Sequence, residues 1–268
     1  MWEILEIMPF TLSHAAAAIP FRRTPLVMSA IVMGCFVPDF PYLLSLSPRR
    51  LFGHTLAGMF VLDLPLAMAA LWLFHTFIKQ PLLTFLPAGF RRRLTAGVGA
   101  FPFRPLGRLS LLALSILTGT ATHLLWDACT HDNSWICRNL AFLRIRVELP
   151  AIGVMPAYTL LEYASSAFGL AVTAIWTWHW YRTTKPSAAP IAHPADTAQR
   201  RIFVVGLPAL AALGGALRAY HANGLRLQIR PVVHFTADML ISTIAFFLLG
   251  LFVYGVILRR HRAVSVGT

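Results

Sequence analysis

Six stretches of the chain are almost free of charge: Leu26 to Leu46, Leu56 to Ile78, Leu109 to Ala128, Pro156 to Tyr181, Ile202 to Tyr220 and Val233 to Leu258. Each is close to the roughly 20 residues that a helix needs to cross a bilayer. The pattern predicts an all-α polytopic membrane helix bundle of about six spanning helices, forming a single integral membrane domain over residues 1–268. Pro208, Gly214 and Gly215 interrupt the fifth stretch, which membrane helices tolerate because neighbours satisfy the freed backbone groups. Ahead of the first, Thr11-Leu12-Ser13-His14 leads into Ala15 to Ile19 and ends at Pro20 and Arg22-Arg23. That segment is too short to span. It is an interfacial helix or one arm of a re-entrant hairpin with Leu26 to Val37, with Ser13 or Thr11 as cap.

The polar residues that do fall in apolar stretches are few and patterned. His123, Asp127 and His131 close the third stretch at spacings i, i+4 and i+8, so on a helix they share one face, drifting by about 40° per step. Asp and His inside an apolar helix are costly unless paired, protonated or ligated, and in a membrane span they point to function. Three such groups aligned are candidate metal ligands. His234 and Asp238 repeat the H-x3-D spacing in the sixth stretch, where a hydrogen-bonded pair is the expectation. His75, His179, His193, His221 and His261 stand alone, and packing accounts for them.

Composition agrees with a membrane protein. Of the 268 residues 57% are hydrophobic and 12% charged, and the mean hydropathy is +0.66; a soluble domain carries about a quarter charged residues. The net charge of +13 suits nucleic-acid binding in a soluble chain. Here the basic residues lie between apolar stretches, so orientation in the membrane and contact with anionic lipid explain them, and no nucleic-acid partner is expected. With an alternating path, fifteen of the 23 Lys and Arg fall on the side of the N-terminus, which places both termini in the cytoplasm. On that side lie a basic loop at 79–108, rich in Pro, Gly and Phe, and a flexible Pro-containing loop at 183–200. Met1 to Ile7 holds Glu3 and Glu6 and no basic residue, so it lacks the start of a secretory signal. Cys35, Cys129 and Cys137 form no CxxC pair; they read as small apolar fillers, with a Cys129–Cys137 disulfide as the alternative.

The same path puts Asp39, Asp63, Asp127, Glu162 and Asp238 in the outer half of their spans, with His54 just before the second span. Five acids facing lipid would cost on the order of 10 kcal/mol, at about 2.5 to 3.5 kcal/mol each near a helix centre and less toward the ends. A shared polar cavity on the outer side, holding a divalent cation, relieves that cost. His14 joins it only if its segment reaches the same depth as a re-entrant arm.

Met8-Pro9-Phe10-Thr11-Leu12-Ser13-His14, Val37-Pro38-Asp39-Phe40, His54-Thr55-Leu56-Ala57-Gly58 with Asp63-Leu64-Pro65, and Thr122-His123-Leu124-Leu125-Trp126-Asp127 with Thr130-His131 occur in that order. In this combination the chain resembles, over almost its whole length, an uncharacterised bacterial membrane family known as domain of unknown function 4184. More distantly it resembles the predicted membrane-bound metal-dependent hydrolases. Two departures stand out: Gly53 occupies a position where the family usually has Ser, and Met1 to Ile7 precedes the family's usual start at Met8. The resemblance implies a bacterial cytoplasmic membrane and His14, Asp39, His54, His123, Asp127 and His131 as metal ligands, with Asp63 as catalytic base or further ligand. A mixed His and carboxylate set suits zinc first, with manganese or iron as alternatives. The chemistry expected is hydrolysis of an ester or phosphoester in a lipid or lipid-linked substrate. Two other classes remain open: a transporter or channel using the cluster for cation binding or proton relay, and a scaffold in which the cluster only fixes helix packing.

Overall fold

In lipid every backbone N–H and C=O must find its partner within the protein, so apolar runs of this length fold as helices. A computed structural model of the chain describes residues 11–47, 52–94, 101–132, 134–150, 153–187, 197–224 and 229–266. After a 3-10 helix at Thr11–Arg23 come α1 (Met28–Ser45) and α2 (Leu56–Phe85), then α3 (Ala88–Leu94) and α4 (Leu106–Thr130). The short α5 (Trp135–Asn139) and a 3-10 turn at Ala141–Arg144 lead to a hairpin. Its strands β1 (Arg146–Leu149) and β2 (Gly153–Pro156) are antiparallel, with Arg146 opposite Pro156 and Leu149 opposite Gly153. Three long helices complete the chain: α6 (Ala157–Thr183), α7 (Thr197–Asn223) and α8 (Ile229–Val266).

Among the described residues five helical segments are long and apolar enough to cross a membrane. They fall within α1, α2, α7 and α8 and along α4 into α5. The fourth predicted span is a helix of 27 residues, α6, but Glu162, Ser165, Ser166 and Arg182 lower its apolar character. Pro208 and the two glycines leave α7 unbroken. Helix α2 runs on to Phe85 and α7 begins at Thr197, so both predicted loops start or end in helix. Residues 1–10, 95–100 and 188–196, on which the expectations for the start of the chain and for much of both loops fall, lie outside the described residues. The three thiols are free. Cys137 Sγ donates to the Cys129 carbonyl at 3.3 Å, in place of the alternative disulfide.

Two compact units divide the described chain. The described residues of Met1–Tyr42, Pro48–Met68 and Arg104–Trp176 form the first, and its centre is the crossing of α1 and α4. A Cβ on Gly34 would overlap the Ile116 carbonyl, and one on Gly119 would overlap the Ile31 carbonyl, so the two backbones touch through reciprocal glycines. Close approach through small residues drives helix association where no hydrophobic gain exists between helices and lipid. Polar bonds pin the crossing: Val27 N–H donates to Ser115 Oγ at 2.9 Å, and Thr120 Oγ1 donates to the carbonyls of Ile116 at 3.1 Å and Gly34 at 3.3 Å. The 3-10 helix packs against both, and its Ser13 backbone lies against Gly169 of α6.

In the second unit α7 packs closely on α8, with Gly215 against the Met239 carbonyl. Buried Asp238 accepts from Arg218 at 2.7 Å and from Asn223 at 2.9 Å. This corrects the expected His234–Asp238 pair: His234 is exposed, and an arginine supplies the charge and donors that a buried carboxylate needs.

Candidate metal centre

Residues 115, 119, 123 and 127 of α4 succeed one another at i+4, and His131 caps the helix one step further. Ser115 and Gly119 give the small surface on which α1 lies, and the same face continues into His123, Asp127 and, at the helix end, His131. Helix α1 arrives on that face carrying Asp39, which sits at the end of a 3-10 turn, Val37–Asp39, inserted in the helix at Pro38. Proline lacks the N–H that an α-helix would use there. His54 ends a second 3-10 turn, Phe52–His54, just before Thr55, whose side chain caps α2 by accepting from Gly58 N–H at 2.9 Å.

Around Asp127 the side chains converge. Asp127 Oδ2 is 3.4 Å from His123 Nε2 and 3.5 Å from His54 Nε2, and its Oδ1 is 3.4 Å from His14 Nε2. Asp39 Oδ1 is 3.3 Å from His54 Nε2 and 3.8 Å from His123 Nε2. Two ligand triads result, His14 with His123 and Asp127, and Asp39 with His54 and His123, the chosen donor atoms of each lying within 4.8 Å of one another. Both include His123, which is wholly buried. The rings of His14 and His123 stack at 4.1 Å, and Trp126 closes over His14 at 5.1 Å.

The outer hydrogen bonds aim these groups inward. His123 Nδ1 donates to the Cys35 carbonyl at 2.7 Å; the carbonyl can only accept, so the neutral ring presents a bare Nε2 to the cluster. Thr11 Oγ1 donates to Asp39 Oδ2 at 2.6 Å and leaves Oδ1 for the interior. Trp126 is held by its Nε1 on Ser165 Oγ at 3.0 Å. The atoms left over, His123 Nε2, Asp39 Oδ1 and Asp127 Oδ2, are buried without a hydrogen bond among the described residues. Buried polar atoms are rarely left so. Donors sharing one metal through bonds of about 2.0–2.1 Å at a tetrahedral angle stand roughly 3.3 Å apart. The His–carboxylate separations of 3.3–3.8 Å lie near that spacing, and each triad therefore fits a divalent cation.

Outside the spanning helices, burial works against charge on His54, yet the Asp127 and Asp39 carboxylates beside it push its pKa up to about 9. Burial, with the His123 ring beside it, lowers that of His14 to about 4. The carboxylates thus favour positive charge at His54, while burial disfavours it at His14.

Of the seven residues singled out in the sequence, five meet here: His14, Asp39, His54, His123 and Asp127. His14 reaches the cluster because the 3-10 helix lies against α1 and α4. His131 stands beside the cluster, in neither triad, with Nδ1 on the Asp127 carbonyl at 3.1 Å and 3.9 Å from Asp127 Oδ1. Asp63 is also in neither triad. It is fully buried at the end of a π-helical turn, Met59–Asp63, with no hydrogen bond to either carboxylate oxygen among the described residues. Gly53 makes room for it: a Cβ there would come within 2.8 Å of Asp63 Oδ1. Glu162 is buried on α6 outside both triads, and Asp238 belongs to the other unit. The supporting roles of Thr11, the Cys35 carbonyl and Trp126 were not foreseen. The small-residue face at 115 and 119, in phase with His123, is the signal that would have located the α1 contact.

A helical membrane protein with a buried His and Asp centre built on two closely crossed helices is the class that this fold and site define. The chain belongs to the family described as domain of unknown function (DUF4184), which matches residues 8–258. Neither among the curated proteins nor among the solved structures does any match this chain.

Proposed function

We propose that the protein is a metal-dependent hydrolase of the bacterial cytoplasmic membrane, with both termini cytoplasmic, acting on an ester or phosphoester of a lipid or lipid-linked substrate. The observation that carries this reading is the set of buried donors left unpaired at metal-ligand spacing: His123 Nε2, Asp39 Oδ1 and Asp127 Oδ2. His123 would hold the metal with Asp39 and His54, or with Asp127 and His14. Zinc suits two imidazoles and one carboxylate with an open fourth position best, with manganese or iron as alternatives. When bound, such a metal supplies Lewis acidity and eases deprotonation of water. The chain's own groups do the rest. The Cys35 carbonyl fixes the His123 tautomer, and Thr11 orients Asp39, as outer hydrogen bonds do at metal sites. Asp63, buried beside Gly53 and free of both triads, takes up a proton as general base. The excess of basic residues on the side of the termini supports the orientation.

Elemental analysis tests this reading directly. Protein purified in detergent without chelator is expected to carry about one zinc, manganese or iron per chain, and a metal-free preparation would overturn the proposal. Asp63→Asn is expected to keep that metal while losing hydrolysis by on the order of 100-fold or more. Loss of metal in this variant would place Asp63 among the ligands instead.

A further inference from the structure

The segment that follows α4 has two contrasting faces. Cys137, Leu143 and Met155 turn inward and are buried, whereas Trp135, Leu140, Phe142 and Ile145 are exposed, Trp135 at 77% and Phe142 at 60%. Interleaved with the exposed apolar groups are Arg138, Arg144 and Arg146, all on the surface. Arg138, Asn139, Ala141, Arg144 and Ile145 line an open concavity of about 490 Å³. The segment is fastened at both ends. Ser134 Oγ donates to the Ala128 carbonyl at 2.5 Å, Cys137 Sγ to the Cys129 carbonyl at 3.3 Å, and Ala157 N–H to the Ile145 carbonyl at 2.9 Å. Its first anchors are therefore on the last turn of α4, beside Asp127.

A free anion in water would need the arginines but not the exposed tryptophan, phenylalanine, leucine and isoleucine around them. A headgroup at a bilayer surface meets both, since such apolar groups sink into the acyl boundary while guanidinium groups pair with phosphate. We infer that the Arg138–Arg144 concavity binds the phosphate of an anionic membrane lipid and presents it at the end of α4 that carries the His and Asp cluster. This assigns an anionic phospholipid, or a lipid-linked phosphate, as the substrate class of that centre, a step that rests on the hydrolase reading. The binding itself does not require a metal.

The test uses the full chain in dodecyl maltoside micelles doped with phosphatidic acid or phosphatidylcholine, with bound lipid counted by native mass spectrometry. Wild type is expected to retain phosphatidic acid over phosphatidylcholine by tenfold or more. Arg138→Gln with Arg144→Gln is expected to weaken phosphatidic acid binding by on the order of 10- to 30-fold, and the double Lys variant to restore most of it. Arg91→Gln with Arg92→Gln, which removes the same charge from a different helix, should weaken it by about twofold at most. If the 138/144 double Gln variant binds like wild type, or the 91/92 variant alone loses binding, the inference fails. Displacement of the lipid by millimolar inorganic phosphate would show a site for free phosphate and overturn it equally. Metal content measured on the same samples separates the two proposals: lost lipid preference with retained metal bears on the concavity, and lost metal with retained lipid bears on the centre.

Discussion

Replacing His123 and Asp127 together by Ala is expected to strip the purified protein of bound metal, with a loss of affinity on the order of 100-fold or more. Even residues that only orient ligands typically contribute 10- to 100-fold, and these two sit closer to the site. His123 belongs to both triads, and Asp127 lies within 3.4–3.9 Å of four histidines, His14, His54, His123 and His131. After the double change no complete triad remains. The measurement is elemental analysis of wild type and variant, each shown to be monodisperse in detergent. Asp127→Asn distinguishes charge from shape, because it keeps the volume while removing the anionic donor. A double variant that still carries wild-type metal would leave the cluster with a packing role alone, as expected of a scaffold. Ion flux through proteoliposomes, absent for a hydrolase, separates the transporter class.

The second large effect falls on a residue with no chemistry of its own. Gly119→Leu is expected to prevent α1 from closing on α4, because even a Cβ at this position overlaps the Ile31 carbonyl and lies 2.8 Å from Cys35 N. Overpacking of an interior typically costs about 1–3 kcal/mol. Here the obstacle is backbone, which cannot step aside as a side-chain tip can, so about 3 kcal/mol or more is expected. The same displacement would carry the Cys35 carbonyl away from His123 Nδ1 and Asp39 away from His54. Thermal unfolding in detergent reads the first effect and metal content the second. Gly206→Ala and Gly107→Ala serve as controls, since a Cβ at either meets nothing within 4 Å. A Gly119→Leu protein with unchanged midpoint and metal would mean that the close crossing is dispensable.

Much of the fold was legible because membrane helices announce themselves one at a time: a run of apolar residues long enough to span must satisfy its own backbone. Thus all six predicted stretches are helical, and α6 fell short only in apolar character, which Glu162 and its serines dilute. The ends were less legible. Helix α2 continues through Lys79 to Phe85 because helix formation is not broken by a single charge whose long side chain can reach out of the apolar layer. Asp238 illustrates the limit for pairs. The i, i+4 spacing pointed to His234, yet Arg218 on the preceding helix won, because a charged donor on a packed neighbour stabilises a buried carboxylate more than a neutral ring does.

The His123, Asp127 and His131 face was determined by the sequence itself, since the 3.6-residue period alone puts the three on one side of α4. So were the membrane class and the cost that drives buried acids to find partners. Tertiary structure alone decided which partners they find. Reciprocal glycines bring Asp39 from α1, a 3-10 helix too short to span brings His14, and His54 enters from the turn before α2, contacts that no local spacing encodes. They also reduced the role of His131, whose Nδ1 turns to a backbone carbonyl at the helix end. A ligand face is a property of one helix, whereas a ligand shell is a property of the distances between several, and those are set by how closely backbones can approach.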